Sequence, residues 1–347
     1  MRYKLLGGSG LRVSEISLGA MTFGEDWGWG ADKKESFKMM ELYAKQGGNF
    51  IDTANKYTNG TSEKITGEFI AADREHFVLA TKYSLSMRAD DPNSCGNHRK
   101  NLVQSLEASL ERLNTDYIDL YWLHAWDFMT PVEEVMRSLD DLVSAGKVLY
   151  LGISDTPAWI VSQANTLAGL RGWSRFVALQ IEYSLIQRTP ERDLLPMARA
   201  LDLAVTPWAV LGGGLLTGKY TGDSKKDAKI DSKRNKAMDK RLSERNFRIA
   251  GVLNETASRI GRKPSQVAIN WARQQPGVII PILGARTAGQ LKESLECLEF
   301  ELDREALEKL DEVSRVELGF PHEFLSSEGI QKVRFGDTFE LTDNHRA

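Results

Sequence analysis

Eight short apolar runs recur along the chain, and helical patterns separate them. The runs are SEISLGA (14–20), NFIDTA (49–54), FVLATKY (77–83), YIDLYWLHA (117–125), VLYLGISD (148–155), FVALQIEYS (176–184), LAVTPWAV (203–210) and VIIPILG (278–284). Several are continuous rather than alternating, which is how strands buried on both faces read. Between them, NLVQSLEASLERLN sets Leu102, Leu106, Leu110 and Leu113 on one helical stripe. VEEVMRSLDDLVSAGK repeats the pattern and stops at Gly146, a helix-ending signal. Strand–helix alternation means parallel strands joined by crossover helices. Eight such units in 347 residues predict an α/β fold, a (β/α)8 TIM barrel. A doubly wound sheet is the second option. GGSGLRV speaks against it, because it precedes the first strand and lacks the third glycine of a dinucleotide fingerprint.

The whole chain, 1–347, reads as one domain with three additions to a minimal barrel. YKLLGGSGLRV (3–13) predicts a β-hairpin cap over residues 1–13 that can plug the barrel bottom. Residues 220–240 are strongly basic and read as a long loop after the seventh strand. The C-terminal tail, 315–347, carries ELGFPHEFL, with aromatics but no helical spacing, and is expected to border the pocket or a subunit contact.

Composition closes off several functions. Apolar residues make up 41%, enough for a real core, and the formal net charge is −3 with both signs interspersed. A nucleic-acid footprint needs a clustered basic face. The two cysteines, Cys95 and Cys297, form no CxxC motif and no Cys/His cluster, so neither a metal site nor a structural disulfide is expected. No apolar h-region follows the N-terminus, and no run reaches the roughly 18 residues of a membrane span. These features predict a soluble cytoplasmic protein.

Barrel enzymes place their chemistry at the C-terminal ends of the strands. The second strand ends in Asp52, the third in Lys82 and the fourth in His124, and Tyr57 follows just after the second. A free tyrosine has a pKa of about 10 and is a poor acid near neutrality. An ammonium beside it favours the phenolate and lowers that value, and a carboxylate keeps a buried ammonium charged. A histidine can donate a hydrogen bond to an incoming oxygen. The set is a proton donor aimed at a carbonyl oxygen that becomes an alkoxide. Taken alone, Asp52–Lys82 reads equally as a structural ion pair, and His124 as a hydrogen-bonded core residue. Their joint placement on three successive strands favours catalysis. A metal-dependent hydrolase would need more ligands than Asp52 and His124, and Lys82 between them would repel a cation.

The loops after the last two strands supply a second signal. They are LGGGLLTGKY (211–220) and GARTAGQLKESL (284–295), where a new helix begins. Glycines let backbone amides approach an anion, a helix N-terminus favours negative charge, and Arg286 adds a cation. GLLTGKY nearly spells a nucleoside-triphosphate-binding loop, but Tyr220 stands where Ser or Thr must hold magnesium.

With these residues in view, the sequence resembles the aldo-keto reductase family over about residues 1–320. FIDTANKY, ATKY and YWLHAWD resemble its aspartate–tyrosine, lysine and histidine motifs. GISD, LQIEYS, LTGKY and PILGARTAGQLKES resemble further cofactor segments. The branch is similar to aryl-alcohol-dehydrogenase-like enzymes and to potassium channel β-subunits. The resemblance implies NADP(H)-dependent, reversible reduction of aldehydes or ketones by a tetrad of Asp52, Tyr57, Lys82 and His124, with Tyr57 as proton donor. It implies that Ser154, Asp155 and Gln180 hold the nicotinamide carboxamide, with Tyr183 stacked on its ring. Trp208, Ala209, Val210, Leu211, Gly212, Gly214 and Lys219 would line the pyrophosphate. Gly284, Arg286, Gln290 and Glu293 would take the adenosine and its 2′-phosphate. Met21 and Asp52 complete the expected cofactor contacts, with Ser294 where the family often has asparagine. A non-catalytic NADP(H)-binding regulatory subunit is the alternative. Such subunits often carry asparagine at the position of His124.

Aromatic residues crowd the expected rim. Phe23, Trp27, Trp29 and Trp126 are the candidate substrate contacts, with Phe320 and Phe324 further out. An aromatic, water-poor pocket suits an apolar or aromatic carbonyl. Other than this small molecule, no nucleic acid or membrane partner is expected, and a homo-oligomer is compatible with the resemblance.

Overall fold

The computed structural model describes residues 1–219 and 241–343. The basic stretch 220–240 lies outside the described residues. The chain begins with a hairpin, β1 (Tyr3–Leu5) antiparallel to β2 (Arg12–Ser14). Eight parallel strands follow: β3 (Ser17–Gly19), β4 (Phe50–Asp52), β5 (Val78–Tyr83), β6 (Ile118–Leu123), β7 (Val148–Ser154), β8 (Phe176–Glu182), β9 (Ala204–Trp208) and β10 (Ile282–Leu283). Their order is β10-β3-β4-β5-β6-β7-β8-β9. Val205 N donates to Val278 O at 2.7 Å and Ile280 N to Val205 O at 2.8 Å, which brings the two ends of the sheet together into a barrel. The eighth strand is shorter than its apolar run. Pro281 has no N–H to give the ladder and contributes only its carbonyl, to Ser17 N.

Helices cover the outside: α1 (Lys33–Lys45), α2 (Thr61–Ile70), α3 (Arg99–Leu113), α4 (Val132–Ser144), α5 (Ala158–Arg171), α6 (Leu194–Ala200), α7 (Glu244–Arg259), α8 (Pro264–Arg273), α9 (Ala288–Leu295) and α10 (Arg304–Ser314). Their ends follow the sequence. Asp32, Ser243, Thr287 and Asp303 accept from backbone N–H groups of the first turns they cap. The Leu102, Leu106, Leu110 and Leu113 stripe of α3 is buried against the sheet.

Strand alternation divides the apolar residues into two cores. Leu120 and Trp122 of β6 point into the barrel with Phe50, Ala80, Ala178, Ala204 and Ile280. Tyr121 and Leu123 point outward to the helices. The hairpin seals the bottom of the inner core with Leu6 and Val13, both fully buried. At its tip Gly7 has φ 54°, and a Cβ there would lie 2.2 Å from Val177 O, so only glycine fits.

The tail differs from expectation. It forms two short helices, α11 (His322–Ser326) and α12 (Glu328–Phe335), then a 3-10 turn over Gly336–Leu341. Phe320 and Phe324 are 84% and 50% exposed. These two rings touch each other, with centroids 5.9 Å apart.

Candidate active site

Three adjacent strands converge at the open mouth. β4 ends in Asp52, β5 carries Lys82 and β6 runs into His124. Lys82 has no exposed surface. Its ammonium donates to Asp52 Oδ2 at 2.5 Å, to Thr53 O at 2.8 Å and to Tyr57 Oη at 3.1 Å. The other Asp52 oxygen accepts from Gln180 Nε2 at 3.0 Å. The rings of Tyr57 and His124 meet edge to face, 5.8 Å between centroids. Phenol, ammonium, carboxylate and imidazole thus share one corner of the mouth.

Local backbone explains how Tyr57 returns over that corner. Thr58, Asn59 and Gly60 all take left-handed conformations, at φ 44°, 54° and 95°. Thr58 is held there because its hydroxyl donates to Phe23 O at 2.6 Å and accepts from Ser62 N. Beneath the corner lies Trp122, level with Lys82 on one side and Gly152 on the other. A Cβ on Gly152 would lie within 2.2–2.8 Å of the indole, so the glycine makes room for the ring.

Burial sets the charge states. It pulls the Lys82 pKa down, but Asp52 and then Tyr57 outweigh it and hold the ammonium above its ordinary value. Burial lifts the Tyr57 phenol above its ordinary value, and the pull of Lys82 only partly opposes this. The ammonium therefore acts in the expected direction without bringing the phenol below the range of a free tyrosine. Burial, and then the neighbouring Lys82 charge, push His124 well below the ordinary histidine range, so its imidazole is neutral at pH 7. Its Nδ1 is buried with no partner.

A polar lattice that the sequence did not reveal clamps the segment after His124. Ser84 Oγ accepts from Ala125 N at 3.0 Å, and Asn97 Nδ2 donates to Ala125 O at 2.9 Å. Asp127 N donates to Asn97 Oδ1 at 2.8 Å, while its carboxylate accepts from the Asn97, Met129 and Thr130 amides. Ser84 and Asn97 come from the loop after β5 and Asp127 from the loop after β6, and no spacing signals such a meeting.

The far wall of the mouth is built from β7, β8 and β9. Ser154 is buried at the end of β7, and its hydroxyl has no partner. Asp155 follows with φ 40°, and Trp208 Nε1 donates to its Oδ1 at 3.3 Å. Loss of water pushes the Asp155 carboxyl up to about 6. Trp208 and Lys82 draw it down, and Glu182 pushes it further up. After Trp208 the chain turns through Ala209 at φ 53° and through Gly212, Gly213 and Gly214 at φ 58°, 69° and 107°. A Cβ on Gly214 would meet nothing within 4 Å, which leaves an open backbone cradle there. Gly284, Arg286, Gln290 and Lys219 are exposed, Leu211 and Ser294 half-buried. Gln290 folds back to accept from Arg286 N at 3.0 Å, at the start of α9. The unpartnered Ser154 hydroxyl, the glycine cradle and the cation at a helix N-terminus fit an extended dinucleotide phosphate.

Tyr183 and Phe23 do not reach the mouth. Tyr183 has no exposed surface. Its ring packs on Trp271, 5.3 Å between centroids, and its hydroxyl donates to Glu191 at 2.7 Å. It cannot stack on a ring at the mouth. Alternation is the reason: Ala178 and Gln180 face inward, so Ile181 and Tyr183 face the helices. Phe23 is also fully buried in the outer core and faces no substrate. The Val210 side chain belongs to that core as well. Glu293 pairs with Lys263 at 2.5 Å. By contrast, Trp27, Trp29, Trp126 and Met21 remain half-buried. Trp27 and Trp29 lie 5.6 Å apart, on a loop pinched by backbone bonds between Gly24 and Ala31 and between Ala31 and Thr22.

Among the described residues, no three His, Cys, Asp or Glu side chains gather to hold a metal ion. No helix there is long and apolar enough to cross a membrane.

Comparison with known sequences agrees with this geometry. Residues 15–315 match the profile of the Aldo/keto reductase family. The norsolorinic acid reductase of Aspergillus flavus is 37% identical over 352 aligned residues, covering 97% of this chain and 88% of its own length. The aryl-alcohol dehydrogenase of Phanerodontia chrysosporium, whose name specifies NADP(+), is 36% identical over 364 aligned residues, covering 99% of this chain and 91% of its own.

Proposed function

This chain belongs to the aldo/keto reductase family of oxidoreductases that use NADP(H), and we propose that it reversibly reduces aromatic aldehydes or ketones, with Tyr57 as proton donor. The observation that carries this reading is the chain of contacts from Asp52 through Lys82 to the Tyr57 hydroxyl. When bound, NADPH supplies the hydride that reaches the carbonyl carbon. Tyr57 gives its proton to the carbonyl oxygen as that oxygen becomes an alkoxide. Lys82, kept charged by Asp52, stabilises the phenolate left behind. A high resting phenol pKa suits this role, because the proton stays on Tyr57 until the oxygen takes it. Neutral His124 orients the oxygen by donating one hydrogen bond. Ser154 and Gln180 are the side chains for the carboxamide, and Arg286 for the 2′-phosphate. Trp27, Trp29 and Trp126 support an aromatic substrate, as do the names of the two relatives.

The test is Tyr57→Phe. Turnover of benzaldehyde-type substrates should fall by about 10²–10⁴-fold, the usual worth of a general acid. NADPH affinity, followed by fluorescence titration, should change less than about threefold, since the phenol is assigned to the chemistry. A variant that keeps most of its activity removes Tyr57 from the mechanism.

A further inference from the structure

We propose that the Asp155 carboxylate is the electrostatic partner of the positive charge on an oxidised nicotinamide, so that the mouth holds NADP+ more tightly than NADPH. The proposal rests on the reading that this mouth takes NADP(H), and it adds a charge preference to it.

The argument starts from where Asp155 stands. It follows the last residue of β7, in the wall of the mouth that faces the phenol and ammonium. Its backbone is fixed from both sides: its N–H donates to Gln180 O at 3.2 Å, and its carbonyl accepts from Trp126 N at 3.5 Å. Its left-handed φ of 40° is a conformation that aspartate tolerates better than most residues. Trp208 pins one carboxylate oxygen. Asp155 is exposed at the mouth, so a negative charge is held at a fixed point that a ligand can reach directly.

The charges around that point are otherwise matched. Lys82 of β5 pairs with Asp52 of β4, and Glu182 of β8 pairs with Arg241. Trp208 of β9 contributes a neutral donor, and Tyr57 a neutral phenol. Among the described residues, Asp155 has a hydrogen-bond donor but no cation pair. The carboxyl pKa is raised to about 6, first by loss of water, with Trp208 and Lys82 drawing it down and Glu182 adding to the rise.

A nicotinamide ring is neutral when reduced and cationic when oxidised. To deliver hydride to a carbonyl whose oxygen meets Tyr57, the ring must lie over the mouth, beside the wall that Ser154, Asp155 and Trp208 form. The phosphates are common to both redox forms, so the ring charge alone separates them. A carboxylate next to the ring stabilises the oxidised form. On the enzyme, this favours giving up hydride and slows release of NADP+. A carboxylate that only accepted a hydrogen bond from the carboxamide would treat both forms alike.

The experiment measures dissociation constants for NADP+ and NADPH by fluorescence or calorimetric titration, between pH 5 and 8, on the unaltered chain, Asp155→Asn and Asp155→Glu. Asparagine keeps the size, the hydrogen-bond capacity and the tolerance of left-handed backbone. Asp155→Asn should weaken NADP+ about tenfold at pH 8 and leave NADPH within about twofold, as loss of one charge contact in a partly wet site implies. Asp155→Glu should restore part of the difference. In the unaltered chain, the preference for NADP+ should fade as the pH drops below about 6. Equal losses for both forms, or no change in their ratio, overturn the proposal while leaving the cofactor reading intact. Failure of the unaltered chain to bind either cofactor overturns both.

Discussion

Replacing Asp52 with asparagine tests whether the tetrad is a coupled electrostatic unit. The carboxylate accepts from Lys82 on one oxygen and from Gln180 on the other. An asparagine amide can accept on one side only, so its NH2 must face either Lys82 Nζ or a re-oriented Gln180. The larger loss is charge. Lys82 has no exposed surface, and Asp52 is the main influence holding its ammonium above the ordinary pKa. Removing one partner of a buried pair costs about 3–5 kcal/mol. In a chain this large, that corresponds to a fall in Tm of roughly 6–10 °C, at about 2 °C per kcal/mol. The ammonium then tends to deprotonate, Tyr57 loses the charge that stabilises its phenolate, and kcat should fall about 10²–10⁴-fold. The double variant Asp52→Asn/Lys82→Met separates the two effects. With no unpaired charge left to bury, it should recover at least half of the lost stability and none of the activity. Differential scanning fluorimetry and steady-state kinetics on the three variants give the answer. If Asp52→Asn melts with the unaltered chain, or if the two single losses simply add, the buried-pair reasoning is wrong.

Three other perturbations probe other parts of the site. Gly152→Ala forces a methyl into the Trp122 indole and should destabilise by about 1–3 kcal/mol in urea unfolding; adding Trp122→Leu should recover part of that, and a Gly152→Ala loss indifferent to residue 122 would contradict the packing argument. His124 is neutral when folded and charges more readily when unfolded, so the unfolded chain binds more protons below about 6.5 and stability should fall as pH drops through that value. His124→Gln should flatten that part of the stability–pH curve; an unchanged slope means that other groups set it. Arg286→Ala should cut the affinity preference for NADPH over NADH about tenfold or more, the worth of a charge-assisted hydrogen bond, and an unaltered preference in titration reassigns the phosphate contact.

The barrel and the corner of four side chains were legible because they follow simple rules. Buried parallel strands read as apolar runs, and a polar residue at the end of such a run has to be explained by the mouth. Asp52, Lys82 and His124 were found in this way. Tyr183 was misplaced although the same alternation carries the answer: counting by twos from Gln180 puts it on the helix face, with Ile181. Phe23 could not be assigned in this way, because a loop has no period. Its burial follows from a turn held by Thr58 and from pairing with Ala31. The lattice of Ser84, Asn97 and Asp127 was equally hidden, since it joins loops whose meeting only the closed barrel determines. The tail misled for a different reason. Its two helices are five and eight residues long, too short for a helical stripe to stand out.

The hairpin that seals the barrel bottom also fixes when the fold can be completed. Its partners lie far down the chain: Gly8 N donates to Asp202 O, Lys4 Nζ to Ile279 O, and Arg273 to Glu15 across 258 residues. On a ribosome adding 5–20 residues per second, the first strands wait roughly 13–50 s for Arg273 to be made. Until then Leu6 and Val13 have no finished inner core to enter. The hairpin is thus made long before the segments that lock it, and the loops it closes span much of the domain. Contacts closed over so long a stretch of chain are slow to form. The hairpin works as a latch on the whole barrel, set only after the eighth strand has arrived.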